Sequence, residues 1–129
     1  MNTTNEFSFI LKPAKHGIGV FAVHDIKAGT FLRLFGDDEH PEENRMLQKE
    51  VVPDLFRQYC IDRGPELACP DDFGRMPIGW YLNHSQIPSA AHTNWEYYAT
   101  RDIAAGDEIT IDYNTFEESE EAKEDYYRF

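Results

Sequence analysis

Hydrophobic residues along this chain fall mostly into short runs bounded by turn residues, which predicts strands more often than helices. Phe7 to Leu11 (FSFIL) alternates and breaks at Pro13. Lys15-His16-Gly17-Ile18-Gly19 is a glycine-rich turn running straight into Val20-Phe21-Ala22-Val23, where β-branched and aromatic residues predict a strand. Asp25 to Gly29 punctuates it, and Thr30 to Phe35 (TFLRLF) predicts the next strand, closed by Gly36. From Asp37 to Met76 the texture changes. Pro41-Glu42-Glu43 resembles a helix start, with proline in the first turn and acids at the positive end of the dipole. Met46, Leu47, Val51 and Leu55 would be its apolar stripe, and Cys60 to Pro77, rich in Pro, Gly and Asp, reads as irregular loop. An apolar strand is expected at Ile78 to Leu82, another from Trp95 to Thr100, and a last one from Glu108 to Tyr113 (EITIDY). Alternation in that last strand puts Ile109, Ile111 and Tyr113 on one face and Glu108, Thr110 and Asp112 on the other. The acidic, aromatic tail from Phe116 to Phe129 fits a short helix.

One stretch occurs twice. Ala22-Val23-His24-Asp25-Ile26-Lys27-Ala28-Gly29 is echoed by Ala99-Thr100-Arg101-Asp102-Ile103-Ala104-Ala105-Gly106. Both copies read as strand, Asp-Ile-x-Ala-Gly turn, strand, with glycine free to take the positive φ such turns use. Two copies make no solenoid, so two similar corners within one mostly β domain are expected. The absence of βαβ alternation argues against a doubly wound nucleotide-binding fold.

Composition narrows the function classes. At 129 residues, with 14% aromatics, the chain has the size of one domain and enough large rings to build a core. Asp and Glu number 24 against 12 Lys and Arg, a formal charge of −12. That surface repels phosphate, which disfavours direct nucleic-acid or membrane binding and favours a basic protein or peptide. No apolar run approaches the roughly 18 residues of a membrane span. The N-terminal residues carry no secretory signal, and two cysteines, Cys60 and Cys69, define neither a disulfide framework nor a zinc site. The expectation is a soluble, intracellular protein, cytoplasmic or, at 15.0 kDa, small enough to enter a nucleus passively.

Candidate chemistry is sparse when each motif stands alone. His16, His24, His40, His84 and His92 lack metal-ligand spacing, and no HExxH or G-x-S-x-G occurs. Gly17-Ile18-Gly19 offers bare backbone for close approach of a ligand, without the pattern of a dinucleotide or phosphate loop. Tyr81-Leu82-Asn83-His84-Ser85 reads as a polar pair closing a loop, and Tyr113 as a core tyrosine.

Taken in order, these motifs resemble the SET-domain protein lysine methyltransferases. Lys15 to Ala22 matches the family's first motif, Leu34-Phe35-Gly36 a degenerate second, Tyr81 to Pro88 the Asn-His-Ser motif, and Arg101 to Tyr113 the last, together spanning roughly Lys12 to Asn114. The resemblance implies a single SET domain over 1–129: a β-clip-like fold of short strands, a knotted C-terminal motif and one or two short helices. Its core would run from about 7 to 114, with a variable insert at about 37–77 and a tail at 115–129. It further implies S-adenosylmethionine held by Lys15, His16, Gly17, Ile18, Gly19, Asn83, His84, Tyr113 and Phe116. Phe35, Tyr81, Ile111 and Tyr126 would line a channel for the substrate lysine, with Tyr127 and Phe129 as further tail candidates. Tyr113 would be the catalytic residue, acting as an oriented neutral hydroxyl, since a free tyrosine ionises only near pH ~10. No metal is required, and the substrate would be a basic protein such as a histone or histone-like protein.

Departures from the family pattern matter. Gln86 stands where the family has cysteine, and no Cys-x-Cys follows Tyr113, so the zinc-bound module that normally completes the channel is missing. The aromatic tail or a second subunit, as in a homodimer, must replace it. Ser89 replaces an asparagine, Phe35 a tyrosine, and Trp80 stands before Asn-His where the family has an arginine or similar residue. An enzyme, a non-catalytic SET-like module that binds peptide or cofactor, and a ligand-free β-rich protein are the readings these residues leave open.

Overall fold

The computed structural model describes residues 2–15, 17–35, 45–93 and 96–113. Among them the chain is mostly short strands: β1 (Phe9–Ala14), β2 (Gly17–Ala22), β3 (Phe31–Leu32), β4 (Met46–Gln48), β5 (Ile61–Asp62), β6 (Glu66–Ala68), β7 (Asn83–His84), β8 (Ala90–Thr93), β9 (Glu96–Ala99) and β10 (Glu108–Ile111). One four-residue α-helix, α1 (Asp54–Arg57), and 3-10 turns at Lys49–Val51, Phe73–Arg75 and Ile78–Tyr81 complete the described elements. The mostly β expectation holds. None of these helices is long and apolar enough to cross a membrane.

The strands form three small sheets. The first, in the order β1-β2-β10-β7, places β2 antiparallel to β10 and β10 parallel to β7. Val20, Ile109 and Ile111 from its middle strands are at most 2% exposed and meet Leu32, Ala90, Tyr97 and Ala99 from the second sheet, β3-β9-β8. The alternation expected for EITIDY is present: Ile109 and Ile111 are buried while Glu108 and Thr110 are only half-buried. β1 runs through Pro13 instead of breaking before it. Proline donates no hydrogen bond, but β1 is an edge strand and needs none on its outer side. The run at Thr30 to Phe35 yields only the two residues of β3, and β8, from Ala90 to Thr93, was not foreseen.

The repeated corners pair with each other. Ile26 and Ile103 exchange both backbone hydrogen bonds, at 2.8 and 2.7 Å. The Asp102 carboxylate accepts from Ala28 N–H and the Asp25 carboxylate from Ala105 N–H, each at 2.9 Å. Gly29 N–H reaches the Ala99 carbonyl and Gly106 N–H the Ala22 carbonyl, each at 2.8 Å. Both glycines take positive φ, +83° and +92°. The two turns are therefore related by an approximate twofold, and each supplies what the other lacks. Ile26 and Ile103, 3% and 2% exposed, plug the core between them.

The middle segment departs most from expectation. Met46 and Leu47 lie in β4, not in a helix, Val51 ends a 3-10 turn, and Leu55 is an exposed residue of α1; the helix start at 41–43 lies outside the described residues. Cys60 to Pro77 is not irregular: β5 and β6 make a hairpin that joins β4 in the third sheet, ordered β4-β6-β5. The hairpin alternates between two cores. Ile61 and Ala68 face the main core, whereas Leu67 and Cys69 pack with Val52 in a smaller one.

Candidate functional site

Three segments distant in sequence converge around β10. The stretch before β7 is a 3-10 turn, Ile78–Tyr81, instead of the expected strand. Gly79 is obligatory there, since a Cβ would run into the Phe35 ring. Its N–H donates to the Leu34 carbonyl at 2.9 Å, and Phe35 packs in turn on Trp80 and Tyr97 at centroid distances of 6.1 and 5.6 Å. The turn delivers Asn83 and His84 into the parallel pairing with Thr110 and Ile111.

Asn83 is 8% exposed, and its amide makes the central junction. Its Nδ2 donates to the Ile18 carbonyl at 3.2 Å and to the Glu108 carboxylate at 2.8 Å. One side chain thereby fastens the glycine turn, β7 and β10 together. A Cβ on Gly19 would collide with the Glu108 carboxylate and lie 2.9 Å from the Ala14 Cβ and 3.1 Å from Asn83 Nδ2. Protein packing alone therefore calls for glycine at position 19. Gly17 is different: its φ is +90° and, among the described residues, no atom lies within 4 Å of where a Cβ would stand. Bare, open backbone is found at Gly17. Glu108, which sequence reasoning placed only on the polar face, also lines a cleft of about 370 Å³ with Ser85, Ser89, Arg101, Asp107 and Thr110.

His84 and Tyr113 form the second junction. The Tyr113 N–H donates to His84 Nδ1 at 3.0 Å, and the Tyr113 hydroxyl donates to the Leu82 carbonyl at 2.5 Å. The rings lie 5.4 Å apart. Because Nδ1 accepts from a backbone N–H, the network assigns the imidazole proton to Nε2. The Asp112 carboxylate lies 3.6 Å from the same Nδ1 nitrogen. Tyr113 lies just past the end of β10, half-buried against the core, with ring and hydroxyl both held. Ser89, which stands where the family resemblance has an asparagine, is buried and bonded to β10. Its hydroxyl donates to the Glu108 carbonyl at 3.1 Å and accepts from Thr110 N–H at 3.0 Å, while its own N–H reaches Thr110 Oγ1 at 3.2 Å.

Lys15 is exposed, Ile18 is 40% exposed, and Phe35 and Tyr81 are half-buried. Tyr81 donates to Met76 Sδ at 3.7 Å and meets the Tyr59 ring at 5.1 Å. Ile111, expected in the channel, is 2% exposed and belongs to the core. His16, Phe116, Tyr126, Tyr127 and Phe129 lie outside the described residues. Burial lowers the proton affinity of the His92 imidazole, whose ring lies 5.4 Å from that of Tyr97. Among the described residues no group of three or more His, Cys, Asp or Glu is placed to hold a metal ion.

This arrangement, a glycine turn locked by an asparagine to a C-terminal strand ending in an anchored tyrosine, has a counterpart among known proteins. The SET domain family matches residues 17–114, and the chain belongs to it. The methyltransferases of that family use S-adenosylmethionine. The variant-silencing SET domain-containing protein of Plasmodium falciparum (isolate 3D7) is 29% identical over 119 residues, covering 81% of this chain. The chain spans only 5% of that relative's length. The structure of ctPRC2 in an autoinhibited conformation bound to S-adenosylmethionine overlays on 87% of this chain and 16% of its own, with a TM-score of 0.56 and 15% identity, a likeness of fold.

The residues present fit that cofactor. Open backbone at Gly17 and the half-exposed Ile18 leave room for a ligand beside the Asn83 junction, and the Tyr113 oxygen is fixed two residues past the strand that Asn83 grips.

Proposed function

We propose that this chain is a protein lysine N-methyltransferase that uses S-adenosylmethionine and acts on a basic protein, histone-like in charge. The observation that carries the reading is the Tyr113 hydroxyl donating to the Leu82 carbonyl. With its only proton committed there, the phenol offers nothing but lone pairs to a substrate, so it accepts from an amine and neither protonates nor deprotonates it. Gly17, Ile18, Asn83 and His84 would hold the cofactor, which when bound supplies an electrophilic methyl on a sulfonium. The chain's own residues do the rest. Asn83 holds the glycine turn and β10 in one register, and His84 fixes the Tyr113 backbone, so that the tyrosine oxygen is oriented before any substrate arrives. Such prepaid orientation, with a polar group aimed at developing charge, is the main source of rate for an amine attacking a methyl group. The formal charge of −12 favours approach by Lys- and Arg-rich segments.

The test is methyl transfer from tritiated S-adenosylmethionine to a panel of basic proteins. Wild type is expected to label lysine, with rates falling as salt rises. Tyr113→Phe keeps the ring and should lower turnover by about 10²-fold, with little change in melting or in cofactor affinity. A wild-type protein that binds the cofactor but labels no lysine would leave the non-catalytic binding module as the correct reading.

A further inference from the structure

The β5–β6 hairpin sets two thiols opposite each other. Arg63 N–H donates to the Glu66 carbonyl at 2.9 Å, and the register then pairs Asp62 with Leu67 and Ile61 with Ala68. One step further stand Cys60 and Cys69. Antiparallel pairs alternate between hydrogen-bonded and non-hydrogen-bonded sites, and counting back from Arg63 and Glu66 puts the cysteines at a non-hydrogen-bonded one. Cα atoms there are about 4.5 Å apart, with side chains drawn together. That lies within the range of about 4.4–6.8 Å that a disulfide bridges. Both cysteines are free thiols packed in the same small core, and each S–H donates to a nearby carbonyl at 3.4 Å, Cys60 to Phe56 and Cys69 to Leu67. Their accessibility differs. Cys60 is half-buried, whereas Cys69 is 0% exposed.

We propose that Cys60 and Cys69 are a reversible redox pair, with Cys60 the thiol attacked by a peroxide and Cys69 the thiol that resolves it into a disulfide. In the first step the Cys60 thiolate attacks one peroxide oxygen. The O–O bond breaks, sulfur is oxidised to sulfenic acid, and the departing hydroxide takes up a proton and leaves as water. In the second, Cys69 sulfur attacks the sulfenic sulfur, the S–O bond breaks, and a second water leaves with the Cys69 proton. Two thiols and one hydrogen peroxide become one disulfide and two waters. A dithiol reductant reverses the change by two exchanges. Burial and the neighbouring Cys69 sulfur push the Cys60 thiol well above the usual thiol range, against a smaller opposing pull from the Arg45 guanidinium. Thiolate is therefore scarce at neutral pH, and the pair answers sustained peroxide rather than acting as a fast scavenger. The bond would staple the hairpin next to Tyr59, whose ring stands 5.1 Å from Tyr81, and Tyr81 lies two residues before Asn83. This inference is independent of the proposed methyl transfer.

The experiment treats the whole chain with hydrogen peroxide, then alkylates it in denaturant and weighs it intact. The expected product is a monomer that has lost two hydrogens and takes up no alkylating agent, with both thiols restored by dithiothreitol. In Cys69→Ser the resolving sulfur is gone, so Cys60 should become trappable by dimedone as the sulfenic acid. Cys60→Ser should leave Cys69 unmodified, because oxidant cannot reach it. Should Cys69→Ser fail to fold, the wild-type mass decides alone. Two alkylatable thiols after prolonged exposure, over-oxidation of Cys60 to sulfinic acid in wild type, or a disulfide-linked dimer as the main product would each overturn the assignment.

Discussion

The body of the domain and the segment from 45 to 77 meet the same backbone demands over very different sequence distances. In the body, Asp25 and Asp102 cap N–H groups 80 and 74 residues away, and Asn83 reaches 65 residues back to Ile18. In the middle segment, Asp62 and Asp72 cap N–H groups only two residues on, at Gly64 and Gly74. The apolar contacts follow suit. The body's cluster joins β2, β3, β7's flank, β8, β9 and β10 and takes in Ile61 and Ala68 from the β5–β6 hairpin, while Val52, Leu67 and Cys69 form a second core with Leu47, Cys60 and Phe73 against it. A region closed by long-range contacts gains its order all at once. One closed largely within itself opens at lower cost, even with Ile61 and Ala68 tying it to the main core.

The sharpest way to break that comparison is to hollow each core in turn. Ile109→Ala and Leu67→Ala each remove a side chain no more than 3% exposed, at an intrinsic cost of about 2–5 kcal/mol. Ile109→Ala should lower protection against hydrogen exchange throughout β2, β9 and β10. Leu67→Ala should lose protection only between 45 and 77. Equal loss in β2 after Leu67→Ala would make the two regions a single cooperative unit.

A smaller effect separates two glycines. Gly19→Ala presses a methyl group against Glu108, Ala14 and Asn83, and overpacking of this kind costs about 1–3 kcal/mol. It should also weaken binding of S-adenosylmethionine, since Asn83 must move. Gly64, at φ +97° with open space around it, costs only the conformational strain of about 1–2 kcal/mol, and Gly64→Ala should leave calorimetric binding unchanged. Equal binding by both variants would remove Asn83 from the cofactor's surroundings.

The smallest expected change tests the twofold. Asp25→Ala and Asp102→Ala each delete one cap on an exposed turn, worth about 0.5–1.5 kcal/mol, and the symmetric geometry requires similar shifts in urea midpoint. Asp72→Ala removes a local cap and should shift it less. A large difference between the first two variants would show that the two corners are alike in shape only.

Much of the body was legible in the sequence, because its motifs are written in residues with narrow conformational or chemical roles. Period-2 alternation placed Ile109 and Ile111 in the core, and the repeated Asp-Ile-x-Ala-Gly with its glycine marked both corners. What sequence could not supply were the partners. That the corners pair with each other, that Gly19 yields space to Glu108 and Asn83, and that the Tyr113 hydroxyl rests on the Leu82 carbonyl are facts of chain crossing, set by residues dozens of positions apart. The middle segment was misread for the converse reason. Met46, Leu47, Val51 and Leu55 fit a helical stripe by spacing, yet β6 offers Leu67 and Ala68 as strand partners for Leu47 and Met46. An apolar run this short takes whichever structure its neighbours can bury, and only the assembled fold determines which neighbours those are.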